Sequence, residues 1–136
     1  MEFTIEAPPQ GKERPRYSGK SRTMYTPRKT VAYEKLVREA YREAAKDGID
    51  YNKDDYIRIV IHAYFPVPKS WSKTKKDAAL LNEILPAVKP DADNIQKVIL
   101  DALNGEAYDD DKQVIYIKCI KKYASSGHVH VNVDNV

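Results

Sequence analysis

The stretch from Asp91 to Gly105 limits the folds open to this chain more than any other. At about 100° per residue it sorts into two sides. Ile95, Val98, Ile99, Ala102 and Leu103 make one apolar face, which has to be buried against a broad apolar surface. Asp93, Lys97, Asp101 and Asn104 fall on the opposite stripe, with Gln96 at its border. Pro90 keeps the residue before it extended, Asp91 or Asp93 serves as N-cap, and Gly105 stops the helix.

Strands supply the surface that this helix needs. Phe3–Glu6 alternates and ends at Pro8-Pro9. Residues 55–65 are β-branched and aromatic, and Pro66 and Pro68 end them. Val114–Lys122 follows an acidic turn. His128–Val133 alternates strictly, as a half-exposed antiparallel strand does. Two further helices are expected: one from about Arg28 to Lys46, opened by Thr26-Pro27, and a short one from about Asp77 to Ile84. The order is β, hairpin, α, β, α, α, β, β. It predicts one α+β domain over residues 1–136, with a mixed or antiparallel sheet and helices mainly on one face.

At 136 residues the chain is long enough for one modest core. Cys119 is the only cysteine, so no internal disulfide forms, and its place in an alternating strand makes it a small hydrophobe. His128 and His130 lack the spacing of a zinc site and belong to the solvated face of a strand. His62 is expected to be a partly buried, hydrogen-bonding residue, and Trp71 to pack against the domain. No signal peptide is present, and no apolar run approaches the ~20 residues of a membrane span. The expectation is a cytoplasmic, reduced setting with no membrane partner.

Charge is unevenly spread. Between Lys12 and Lys29 there are seven Lys or Arg residues against one acid, Glu13. Interleaved Gly, Pro and Ser make this a loop or hairpin. Lys12, Arg14, Arg16, Lys20 and Arg22 are candidate DNA contacts, because guanidinium groups suit phosphate oxygens. Tyr17 and Tyr25 are placed to stack on bases. Lys73, Lys75 and Lys76 form a second basic cluster in the connector that follows Pro68.

The acids fall in two groups, Asp91 and Asp93 at the head of the helix and Asp109-Asp110-Asp111 in the turn before a strand. Taken singly, each reads as an ordinary helix start or a solvated turn. The helix between them spans only about 16 Å. If the connecting loop runs back along it, Asp91 and Asp93 meet Asp110 or Asp111 in one coordination sphere of the kind Mg²⁺ or Mn²⁺ prefers. Carboxylates beside basic, phosphate-seeking loops repel a phosphate unless a divalent cation lies between. That conflict points to a metal-dependent phosphodiesterase. Lys97, one turn after Asp93, is placed to neutralise charge on the phosphate or leaving oxygen.

The run Lys-Pro-Asp91-Ala-Asp93-Asn94-Ile-Gln96-Lys97, continued by Asp101-Ala102-Leu103 and Asp110-Asp111-Lys-Gln113-Val114, resembles the RusA family of Holliday junction resolvases. Pro9-Gln10-Gly11-Lys12-Glu13-Arg14-Pro15-Arg16 and Tyr25-Thr26-Pro27 resemble its phage-type branch. The resemblance covers nearly the whole chain. It implies a homodimeric, Mg²⁺-dependent endonuclease, with Mn²⁺ as substitute, that resolves four-way DNA junctions by paired symmetric nicks in a bacterial or prophage setting. It places the essential aspartates on Asp91, Asp93 and Asp111, which would also bind the metal, and the essential lysine on Lys97. Asp109 is an extra acid, and Gln113-Val114 fixes Asp111 as the match. The segment from Leu103 to Asp110 departs from other members, so the family's loop contacts do not carry over.

Two other readings compete. One is a branched-DNA-binding module without catalysis, its acids being caps and surface. The other is a metal enzyme acting on small phosphorylated substrates, which has no need of so wide a basic surface.

Overall fold

The computed structural model describes residues 1–48 and 54–136. The elements are β1 (Glu2–Ile5), β2 (Arg16–Ser18), β3 (Thr23–Tyr25), α1 (Arg28–Ala44), β4 (Ile57–Pro66), α2 (Lys73–Leu80), α3 (Ala92–Leu103), β5 (Val114–Ala124) and β6 (His128–Asn135). A 3-10 turn at Asp111–Gln113 precedes β5.

The α+β class is as expected. The main sheet runs β1-β6-β4-β5, and the β2–β3 hairpin pairs only with itself. The sheet is mixed: β6 pairs antiparallel to β1 and β4, whereas β4 and β5 run parallel. Parallel neighbours require a long crossover, and α2 and α3 lie within it. The candidate site is therefore carried by the connection between two adjacent strands.

Alternation decides which face is buried. Ile57, Ile59, Ile61 and Ala63 of β4 and Val129, Val131 and Val133 of β6 are fully enclosed. α3 covers them with the face read from sequence: Ile95, Val98, Ile99, Ala102 and Leu103 are all buried. α1 adds Tyr33, Val37 and Tyr41. The opposite sheet face carries the three histidines, each half-buried. Trp71 packs edge-on against Tyr123, with ring centroids 5.3 Å apart. Burial pushes the Cys119 thiol up to about 11, as befits an unreactive small hydrophobe.

Two boundaries differ from expectation. α2 is Lys73–Leu80 and not Asp77–Ile84, because the Ser72 hydroxyl accepts the Lys75 N–H at 3.2 Å and starts the helix one turn earlier. Lys73, Lys75 and Lys76 therefore stand on a helix and not in a connector. α1 takes Pro27, not Thr26, as its N-cap, with no side-chain cap. The Pro27 carbonyl accepts the Val31 N–H at 3.1 Å.

Candidate active site

α3 is held at its head by a strap, residues 10–14. The Lys12 N–H donates to the Asn94 carbonyl at 3.1 Å. Gly11 lies so close to the helix that a Cβ there would stand 2.9 Å from Pro90 Cβ and 3.0 Å from Asn94 Cβ. Only glycine allows this approach. The Lys12 ammonium turns inward, to Glu34 of α1 at 2.6 Å and Asp101 of α3 at 3.2 Å. Burial opposes its charge, but hydrogen bonds and attraction from Glu34 and Asp101 outweigh that and raise its pKa. Lys12, expected as a DNA contact, is thus a strut between two helices.

The strap divides two clefts. One, of about 250 Å³, is lined by Lys12–Pro15, Asn94 and Lys97, so Arg14 and Lys97 share it. The other, of about 410 Å³, is lined by residues 9–13 with Lys29, Lys89, Pro90, Asp91 and Asn94. Asp91 occupies the N-cap position of α3 with no side-chain cap bond. Asp93 and Lys97 are exposed, one turn apart on the same stripe.

The acidic turn is organised by Gln113, which is buried. Its side-chain oxygen accepts the N–H groups of Asp109 (2.9 Å) and Asp110 (3.2 Å), and its amide donates to the Asp55 carbonyl at 3.1 Å. The Asp110 carboxylate accepts the Lys112 N–H at 2.9 Å, which holds Asp110 below the usual range. A hydrogen bond with Asp110, burial, and repulsion from Asp110 and Asp101 push Asp111 up.

Of the acids on α3, it is Asp101 near the C-terminal end, and not Asp91 or Asp93 at the head, whose charge acts on Asp111. The loop comes back only over the last turn of the helix. It closes on itself through the Asn104–Tyr108 bridge, and the Tyr108 hydroxyl donates to the Leu100 carbonyl at 2.8 Å. Eight residues of helix between Asp93 and Asp101 amount to about 12 Å. The expected single coordination sphere does not form: among the described residues no three acids, histidines or cysteines are grouped to hold a metal ion.

The remaining basic residues lie farther out. Arg16 is on β2, its guanidinium 3.5 Å from Glu13, and Lys20 and Arg22 are exposed around the hairpin turn. Lys75 of α2 stands 4.0 Å over the Trp71 ring, a cation–π contact that leaves Lys73 and Lys76 beside it.

The family model for endodeoxyribonuclease RusA matches residues 6–134, a span holding the strap, α3, the acidic turn and most of β6. The chain belongs to the RusA family. The uncharacterized protein YqaN of Bacillus subtilis (strain 168) is 31% identical over 140 residues, covering 100% of this chain and 96% of that protein. RusA membership makes the chain an endonuclease of the Holliday-junction class. No helix among the described residues is long and apolar enough to cross a membrane.

The metal implied for RusA proteins is hard and takes oxygen donors. The donor chemistry suits it, because the Asp91 and Asp93 carboxylates are exposed and uncommitted among the described residues. The arrangement within this one chain is divided, with Asp111 apart. Three residues that sequence reasoning named, Lys12, Gln113 and Asp101, shape the site in roles it did not read. Lys12 acts through partners distant in sequence, which no local pattern reveals, and Gln113 joins a local capping box with Asp110 to a distant bond with Asp55. Asp101 was visible on the polar stripe, but its pairing with Lys12 was not.

Proposed function

We propose that this RusA-family chain is a Mg²⁺-dependent endonuclease, with Mn²⁺ as substitute, that works as a homodimer on four-way DNA junctions. It resolves them by paired symmetric nicks in recombination and repair. The observation that carries the reading is the exposed Asp93–Lys97 stripe, headed by Asp91, beside the cleft shared by Arg14 and Lys97.

A divalent cation held by Asp91 and Asp93 would polarise the phosphodiester and provide hydroxide near neutral pH, and Asp111 would complete the donor set once the acidic turn closes on the head of α3. The chain's own groups do the rest. Lys97 sets an ammonium where charge develops on the leaving oxygen. Arg14 grips a phosphate with paired hydrogen bonds. Arg16, Lys20 and Arg22 of the hairpin and Lys73, Lys75 and Lys76 of α2 extend the basic surface along the DNA arms. A junction is two-fold symmetric, so a C₂ dimer offers equivalent sites to equivalent strands. The setting is the cytoplasm of a bacterial host, on host or prophage DNA.

Arg14→Ala is expected to weaken junction binding and flatten the dependence of log affinity on log salt by about 1, read by fluorescence anisotropy across a salt series. Function itself is tested with a labelled synthetic four-way junction, in Mg²⁺ and in EDTA, beside linear duplex of the same sequence. Symmetric nicks on the junction alone, and only with metal, are expected. Tight binding without nicks in either Mg²⁺ or Mn²⁺ would leave a branched-DNA-binding module instead.

A further inference from the structure

The cleft on the Asp91 side of the strap holds two cations that the site as described does not use. Lys29 projects from the first turn of α1, and Lys89 immediately precedes Pro90. Both are exposed, and neither has an ion pair or hydrogen bond among the described residues. Other lysines nearby are committed: Lys12 to Glu34 and Asp101, Lys35 to Glu39, and Lys121 to the Val88 carbonyl.

Lys29 also stands in an electrostatically poor place. The first turn of α1 contains no acid, whereas helix N-termini favour anions and disfavour cations. The Glu13 and Asp91 carboxylates line the same cleft but form no ion pair with Lys29 or Lys89 among the described residues, so an anion lodged between the lysines would supply what the fold leaves out. The required ligand is anionic and comes from outside.

We propose that Lys29 and Lys89 bind a DNA-backbone phosphate adjacent to the scissile one, on the opposite side of the strap from Arg14 and Lys97. This rests on the endonuclease reading. The strap makes the assignment geometric, because the Gly11 contact and the Lys12 N–H bond to Asn94 fix the wall between the two clefts. A strand laid across that wall presents successive phosphates to one cleft and then the other. Asp91 lines the lysine cleft, so an unassisted phosphate would be repelled there. Two uncommitted ammonium groups reverse the sign and bring the strand close to the carboxylate.

The test uses Lys29→Ala, Lys89→Ala and their double variant, with Lys29→Arg/Lys89→Arg to retain the charge and Lys35→Ala as a reference. Junction binding is measured in EDTA across a salt series, and nicking is measured in Mg²⁺. The double alanine variant is expected to raise KM about tenfold with kcat within about twofold of the parent. The salt slope should fall by about 1 per lysine. The double arginine variant should recover both, and Lys35→Ala should change neither. A double alanine variant with parental KM and salt slope overturns the subsite, as does one that loses kcat alone. If the parent fails to nick, the endonuclease reading fails separately, and the slope in EDTA still decides whether these lysines hold phosphate.

Discussion

Asp93→Asn is expected to bind a four-way junction at least as tightly as the parent and to nick it below detection. The Asp93 side chain is exposed and engages no partner among the described residues, so its isosteric replacement leaves the fold within about 0.5 kcal/mol. What is lost is an anionic oxygen donor to a hard cation. What is gained is relief from repulsion: a carboxylate about 6 Å from a phosphate costs roughly 0.7 kcal/mol in water, so binding tightens by a few fold at most. Asp91→Asn and Asp111→Asn are expected to behave alike. Lys97→Ala removes a cation and no metal donor, so it should lower kcat by about 10²–10³-fold with a smaller effect on affinity. Single-turnover nicking and anisotropy on the same preparations separate the two effects. An Asp93→Asn protein that nicks at the parental rate would remove Asp93 from the site.

The second large effect is on stability. Lys12→Met takes their common cation from Glu34 and Asp101 and leaves Glu34, among the described residues, only Arg38, at 3.9 Å. The Lys12 and Glu34 side chains are only 16% and 14% exposed, so water replaces little of the lost interaction. Removing one member of a fully buried pair costs about 3–5 kcal/mol. With Asp101 still 33% exposed, about 2 kcal/mol is the expected loss, or roughly 6–8 °C in Tm for a chain of this size. The pH dependence has a definite sign. The folded-state pKa of Lys12 lies above 10.5, so its contribution is complete below the ordinary lysine pKa and disappears as pH rises through the folded value. The Tm gap between parent and Lys12→Met should hold constant through neutral and mildly alkaline pH and close only in strong alkali. A constant gap there would mean that the loss is packing alone.

How much of this was legible in the sequence depended on how local its cause was. β6 was readable because Val129, Val131 and Val133 alternate with polar residues, and all three are enclosed. The apolar face of α3 was readable for the same reason at helical spacing. Gly105 ends that helix at φ +79°, a conformation that favours glycine. The parallel pairing of β4 with β5 was not legible, because strand patterns alone do not say which way the intervening crossover returns. The convergence of the acids was expected on the assumption that a short loop runs back along α3. The Asn104–Tyr108 bridge and the Tyr108 bond to the Leu100 carbonyl spend that loop locally, at the end of α3 away from Asp91 and Asp93. The strut made by Lys12 joins residues 22 and 89 positions away, and a basic residue in a basic loop gives no sign that it faces inward.

The strand order also governs when activity can first exist. β6, the last of the described strands to be made, lies between β1 and β4, and Thr4 finds its partner at His130. While residues 128–135 are still unmade, β1 has no strand to join and β4 has β5 alone. The floor beneath α1 and α3 is then incomplete, and with it the strut that aligns them. Closing so long a loop is slow compared with local helix formation. A nuclease built this way does not acquire its cutting edge gradually as it is translated. The floor for that edge closes in one late step, when β6 pairs with β1 and β4 together.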